Sequence, residues 1–508
     1  TAVDIRARGR VVVSAGALPL GRYNGRVEAR YGSPTNAPQA VVSFQVEFFQ
    51  PGRDSDGDAY YLEYRGAAGR RVFTDRVIEI VNGSDDDVLV MNVIRGPQGD
   101  GFVALESIIS DHGFKQLILL GDVGLIDVGG PLGTVRVEGG VVGEVIVRRG
   151  GLNALIVQNK WGGKDDEFLA EVGILKGVRV QTEIGMICVF GGCIGQSDEP
   201  ALIVAENGSI KSVVTKAMVK KYPDDGWSTT VVAGDDGANI FASISAPRGT
   251  IGSVSASGGV IGSPDDDPLC TIRAAGSIGR VNARAVNYEG EGLGGSIFAD
   301  IRAGGPIKSI TAMGGDVTRT EISWPEDIGD EDILPVTITA PAIGAIKVSG
   351  KAYPYDGCRD GYGGNLRAHI SVSNTLGSIA VKGGNACVQV YTEGTLSSIG
   401  NVSVRPIAYK EWNDDTERVS RGGDLISSVI ATTSAANYRS SNPAHYRGTL
   451  RGLRVAGSIV NTWIGMKGPD STDSFAYDRF SYARLEQSEI WEVKASRIYV
   501  RADYTAGR

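Results

Sequence analysis

The chain has 508 residues, with 51 Lys and Arg against 59 Asp and Glu, a formal charge of −8. That balance argues against a nucleic-acid partnership driven by overall charge, and no run of about 18 apolar residues exists to span a membrane. Glycine makes up 71 of the 508 positions, about twice the ordinary share, yet 42% of residues are hydrophobic, too many for a disordered chain.

Residues 1–118 read as a β-rich N-terminal domain. The segments VVSFQVEFFQ (41–50) and RVIEIVNGSDDDVLVMNVI (76–94) alternate apolar and polar residues as strands do, between loops such as GSPTNAP and PGRDSDGD. Aromatic residues are denser here than downstream. Phe44, Phe48, Tyr60 and Tyr61 are candidates for a contact with another copy of the chain, because aromatics anchor such contacts. In RDSDGDAYY (53–61), Asp54, Asp56 and Asp58 alternate, and clustered carboxylates on a loop suit calcium. Gly57 falls at the fourth position of that loop rather than the sixth, and Arg65 stands where an EF-hand has its bidentate Glu. A solvated Asx-type turn is therefore the competing reading.

Residues 119–460 read as a parallel β-helix. Val123, Leu132, Val142 and Leu152 are spaced by 9, 10 and 10 residues, each opening a short strand that ends in a glycine corner. Three such units would fill a coil of 27–30 residues. Further on, five segments align without gaps: IFASISAPRGTIGSVSASGG, PLCTIRAAGSIGRVNARA, SIFADIRAGGPIKSITAMGG, LPVTITAPAIGAIKVSG and LRAHISVSNTLGSIAVKGG. Their first anchors are Ile244, Ile272, Ile301, Ile338 and Ile370, at spacings of 28, 29, 37 and 32. A fixed core with variable inserts at this period is the pattern of a solenoid. No single turn can bury its own apolar face, so the anchors must stack in an inward column. Residues 461–508 lack the glycine corner and read as a C-terminal cap or interface segment, with Trp491, Tyr499 and Tyr504 as candidate anchors. The chain opens on Thr with no apolar leader, as a processed chain would.

The stretches GTIGSVSASGG, GSIGRVNARA, GPIKSITAMGG and TLGSIAVKGG resemble the Gly-rich repeats of large secreted surface proteins of planctomycete-like bacteria. The resemblance covers residues 120–460. It implies a parallel β-helix and an extracellular or cell-surface location. It assigns no chemistry, since similar coils serve adhesins, tailspikes and polysaccharide lyases.

Chemistry-bearing motifs are sparse. The five cysteines have no C-x-x-C spacing and the three histidines are far apart, which argues against zinc. Cys358 and Cys387 lie one repeat apart and could bridge adjacent turns; small buried hydrophobes are the alternative for all five. Asp235 and Asp236 in AGDDGAN are similar to the Gly-Asp-Asp of polygalacturonase-like hydrolases, but the His-Gly and Arg-x-Lys companions do not follow. Asn82, Asn207 and Asn401 sit in glycosylation sequons. The expectation is a non-enzymatic, secreted structural protein that assembles with itself into a surface layer, filament or sheath, with calcium between its acidic loops. A carbohydrate-active β-helix, a receptor-binding spike or a glycan-binding adhesin is the alternative.

Overall fold

The computed structural model describes residues 57–465 apart from 67–69, 74–75, 97–98, 100, 159–160, 163–166, 169–171, 219, 222–229, 232–236, 265–268, 289–290, 321–327, 329–333, 351–362, 393–396, 411–417, 432–448 and 461. It also describes the strands at 2–6, 10–14, 21–30, 39–48, 52–53, 489–490 and 493–498. The fold is all-β, a long and mostly parallel β-solenoid. Each turn contributes two principal strands. Leu105–Ser110 and Phe114–Leu120 make one turn, and Val123–Val128 and Leu132–Glu138 make the next. First stacks on first and second on second, both in parallel. The stacked first strands form sheet A and the stacked second strands form sheet B.

The predicted anchors superpose. Ile244 pairs with Ile272, Ile272 with Ile301, Ile301 with Ile338 and Ile338 with Ile370. The same sheet A column runs upstream through Ile203, Val178, Val145, Ile126 and Ile108 to Ile78, and downstream through Val390 to Ile430. No member of that column is more than 1% exposed. Sheet B carries two further columns, one through Ile251, Ile278, Ile307, Ile343 and Leu376, the other through Val254, Val281, Ile310, Ile346 and Ile379. Burying one such side chain contributes about 1.5–3 kcal/mol. β-branched residues suit the pleated stack because their stiff side chains already match it.

Coil length differs from the sequence expectation. Val123 stacks on Val142, and Leu132 on Leu152, so two of the short units close a turn, not three. A third inward column explains how later coils reach 28 residues. It runs through Val123, Val142 and Ile174, then Ile194, Ile240, Ile261, Ile297, Val317 and Leu366. Val142 leads into the sheet A residue Val145 directly, whereas Ile261 is separated from Ile272 by the insert containing SPDDDP. The extra length of that coil lies at this one corner.

A Gly pair followed by a short polar residue opens the turn into the third column. Gly314 has φ of 79° and Gly383 of 87°, the left-handed region that a Cβ disfavours. The polar residue then bonds across rungs. Ser296 Oγ accepts from the Asp316 amide at 2.9 Å and Asp316 Oδ1 from the Asn365 amide at 2.7 Å. Asn365 Oδ1 accepts from the Asn385 amide at 2.9 Å, and Asn385 Oδ1 from the Asp424 amide at 3.0 Å. This ladder satisfies buried backbone groups at a corner where no sheet can pair them.

Parallel stacking begins with Val77–Val81 and Val88–Ile94, within the segment expected to be a separate N-terminal domain. Ala59–Arg65 pairs antiparallel with Val88–Ile94, and Arg70–Phe73 antiparallel with Val77–Val81. Gln39–Phe48 and Gly21–Arg30 continue that antiparallel run outward. The N-terminal segment thus caps the strand edges of the first turn. At the other end, Thr449–Val460 pairs in parallel with Glu489–Ile490 and Val493–Ile498, so the stack continues into the segment expected to be a C-terminal cap.

Candidate functional site

The acidic loop at 53–61 is half described. Asp54 and Asp56 lie outside the described residues. Asp58 is fully buried, and its two carboxylate oxygens accept from the backbone amides of Gly96 and Gly101. It therefore ties the 95–101 loop to the cap. Among the described residues, no group of three His, Cys, Asp or Glu side chains is placed to hold a metal. Asp235 and Asp236 lie outside the described residues.

The aromatic candidates separate. Tyr60 is 7% exposed and belongs to the core, while Tyr61 on the opposite face of the strand is half-buried. Phe44 and Phe48 sit on Gln39–Phe48, in register with Gly25 and Gly21. Trp491, Tyr499 and Tyr504 lie outside the described residues, as does Cys358. Cys387 is a buried free thiol that donates to the Ser427 carbonyl at 3.7 Å, and burial pushes its pKa up. Asn82, Asn207 and Asn401 are all exposed.

Where cap meets coil, a buried polar network forms that the sequence did not announce. Tyr64, 1% exposed, donates its hydroxyl to Asp87, and the Ser84 amide donates to the same carboxylate oxygen at 2.9 Å. His112 Nε2 lies 3.1 Å from Asp87, while its Nδ1 lies 2.8 Å from Ser110 Oγ and 2.9 Å from Asp111. Burial, then the bond to Asp87, raises the Tyr64 pKa and keeps the phenol protonated. Serine, histidine and aspartate do meet here. Ser110 is 6% exposed, His112 8% and Asp87 1%, so a substrate has no approach and the network serves as a joint.

Beside this joint, sheet B opens into a groove of about 560 Å³ lined by Lys115, Asn153, Thr182, Glu183 and Lys211. Its floor is bare backbone at Gly133 and Gly185. A Cβ on either would sit 2.1 or 2.2 Å from the carbonyl oxygen of the adjacent rung.

The groove leads onto the outer face of sheet B. Its strands are Ile210–Lys216, Ile251–Ser257, Ile278–Arg284, Ile307–Met313, Val336–Ser349, Leu366–Lys382, Ser398–Arg405 and Thr449–Val460. None contains Asp or Glu. Lys211, Lys216, Arg280, Arg284, Lys308, Lys347, Lys382, Arg405, Arg451 and Arg454 all project from it and are exposed. Elsewhere cations are paired. Arg136 meets Glu138 at 2.7 Å, Arg148 meets Asp127 at 2.5 Å, and Arg302 and Arg319 reach Asp300 at 3.2 and 2.8 Å. The net charge of −8 thus conceals a segregated surface. The sequence did hold the signal, as Lys or Arg at outward positions of strands lacking any acid. It becomes visible only once the two-strand turn is known.

No protein family, curated protein or solved structure matches the chain. Function is therefore argued from the surface alone.

Proposed function

We propose that this chain is a non-enzymatic structural rod of an extracellular or cell-surface layer, and that it associates side by side with copies of itself. The observation that supports this is the uninterrupted stack. From Leu89 through Leu117, Val135, Leu155, Ile187, Val213, Val254, Val281, Ile310, Ile346, Ile379, Val402 and Leu453 to Val493, one sheet B column is continuous. At about 4.8 Å per rung these fourteen rungs span roughly 60 Å. A seven-residue strand is about 20 Å wide, so one sheet face offers roughly 1,200 Å², enough for a stable contact. The extracellular setting rests on the resemblance of the Gly-rich repeats to secreted bacterial surface proteins. Calcium held between acidic loops of neighbouring copies, such as 83–88, would offset their mutual repulsion.

The test is light scattering and electron microscopy of the full chain over a concentration series, with calcium and with a chelator. Concentration-dependent growth into ribbons or sheets that shrink in chelator is expected. Single rods at every concentration with calcium present would overturn the reading.

A further inference from the structure

We propose that the acid-free outer face of sheet B, from Ile278–Arg284 onward, is a binding surface for an acidic polysaccharide, a linear sugar chain carrying carboxylate or sulfate groups. Three observations carry this. The first is unrelieved like charge. Lys382 stacks in direct register on Arg405, a pairing that destabilises a sheet unless a counter-charge sits over it. No ion pair among the described residues joins a carboxylate to Arg280, Arg284, Lys308, Lys347 or Lys382, although cations on other faces have such partners. A polyanion lying on the face supplies the missing charge.

The second observation is spacing. Arg280 and Arg284, then Lys308, Lys347, Lys382 and Arg405 occupy five successive rungs in register, and Arg451 and Arg454 the sixth. A chain laid along the rod therefore meets at least one cation per rung, at about 4.8 Å intervals. A linear polymer with regularly repeated charge matches that array; a compact anion would engage only one rung.

The third observation is what lies between the cations. Asn282, Ser309, Thr311, Ser378, Asn401 and Ser403 occupy outward positions of the same strands. They offer short hydroxyl and amide groups that can exchange hydrogen bonds with sugar hydroxyls. No aromatic side chain stands on these strand segments to stack a base, as sequence-tolerant binding of single-stranded nucleic acid requires. The face is a flat sheet and lacks the ridge that would enter a duplex groove.

The inference does not depend on self-association, and it is tested on dispersed protein at low concentration. Binding of the full chain to polygalacturonate, dextran sulfate and neutral dextran is measured by calorimetry and affinity electrophoresis, at low and at moderate salt. The test variant is Arg284→Ser/Lys382→Ser/Arg405→Ser, which copies the serine found at Ser257 and Ser349 in the same outward column. The control is Arg148→Ser, a paired cation on another face. Melting curves confirm that both remain folded. The expected result is salt-sensitive binding to one or both polyanions and none to dextran. The triple variant should bind about tenfold more weakly or worse, and the control within about twofold of the parent. Binding to only one polyanion supports the proposal and identifies the group. Equal binding by parent and triple variant overturns it, as does equally tight binding of duplex DNA. If the parent binds neither polyanion while the triple variant no longer scatters at high concentration, the face is a contact between copies. In that case this inference falls and the assembly reading stands.

Discussion

Replacing Asn365 with Ala isolates the corner ladder. Asn365 is 3% exposed, and its Oδ1 accepts from the Asn385 amide at 2.9 Å, one rung on. Truncation removes the acceptor of a buried N–H without touching any apolar column. Losing such a bond costs about 1–3 kcal/mol. Because each rung of a solenoid leans mainly on its neighbours, the loss should stay local. The sensitive assay is amide hydrogen exchange, resolved to the peptide covering 383–388. A loss of 1–3 kcal/mol corresponds to roughly 5- to 150-fold faster exchange at the Asn385 amide. Columns three rungs away should keep parental protection. Asn365→Ser, which retains a hydroxyl acceptor as Ser296 does on an earlier rung, should fall between Ala and the parent. If Asn365→Ala exchanges at the parental rate at 383–388, the side-chain ladder does not hold this corner, and the Gly pairs and core alone set its geometry.

Ile301→Asp places an unpaired carboxylate between Ile272 and Ile338 at a position with no exposure, at a cost on the order of 3–5 kcal/mol. A melting midpoint within a degree or two of the parent would mean that the column is not packed as described. Asp111→Asn tests the joint between cap and coil. The hydrogen bond with His112, then the Asn82 amide, holds the Asp111 carboxyl below its ordinary pKa. A depressed carboxyl contributes stability above its unfolded pKa and loses it as pH falls through the folded one. The parent should therefore lose stability on acidification below about pH 4, and Asp111→Asn should flatten that part of the acid limb. Identical acid limbs would show that the pair contributes nothing to folding.

The parts of the fold legible in the sequence are those that repeat in one dimension. Ile244, Ile272, Ile301, Ile338 and Ile370 could be aligned because each must meet its equivalents above and below, which fixes residue type and position together. The number of units per turn was not legible. A spacing of 9 or 10 between Val123, Leu132, Val142 and Leu152 marks strands and corners, but the closure of a turn depends on which of them meet in space. The ladder of Ser296, Asp316, Asn365 and Asn385 follows Gly pairs that the sequence displays openly. Its meaning lies in bonds between residues 20 or more positions apart. The basic face was masked by averaging, since acids in the loops cancel Arg280, Arg284, Lys347 and Lys382 in any net count. Tyr60 shows the limit of composition: an aromatic in a cap can serve the core as readily as a partner, and alternation along Ala59–Arg65 decides it.

The backbone hydrogen bonds of sheets A and B all point along the rod, because each strand lies across it and bonds to the turns before and after. Tension applied end to end therefore loads the turns in series, and every turn bears the whole force on its own few bonds. Stretching would detach one turn at a time, releasing a length of 18 to 37 residues with each step while the remainder kept its shape. A load applied across the rod meets the opposite situation, since many turns share it at once. A molecule built this way is stiff against bending and compression but yields in small increments when pulled, which is the mechanical behaviour of a shock absorber.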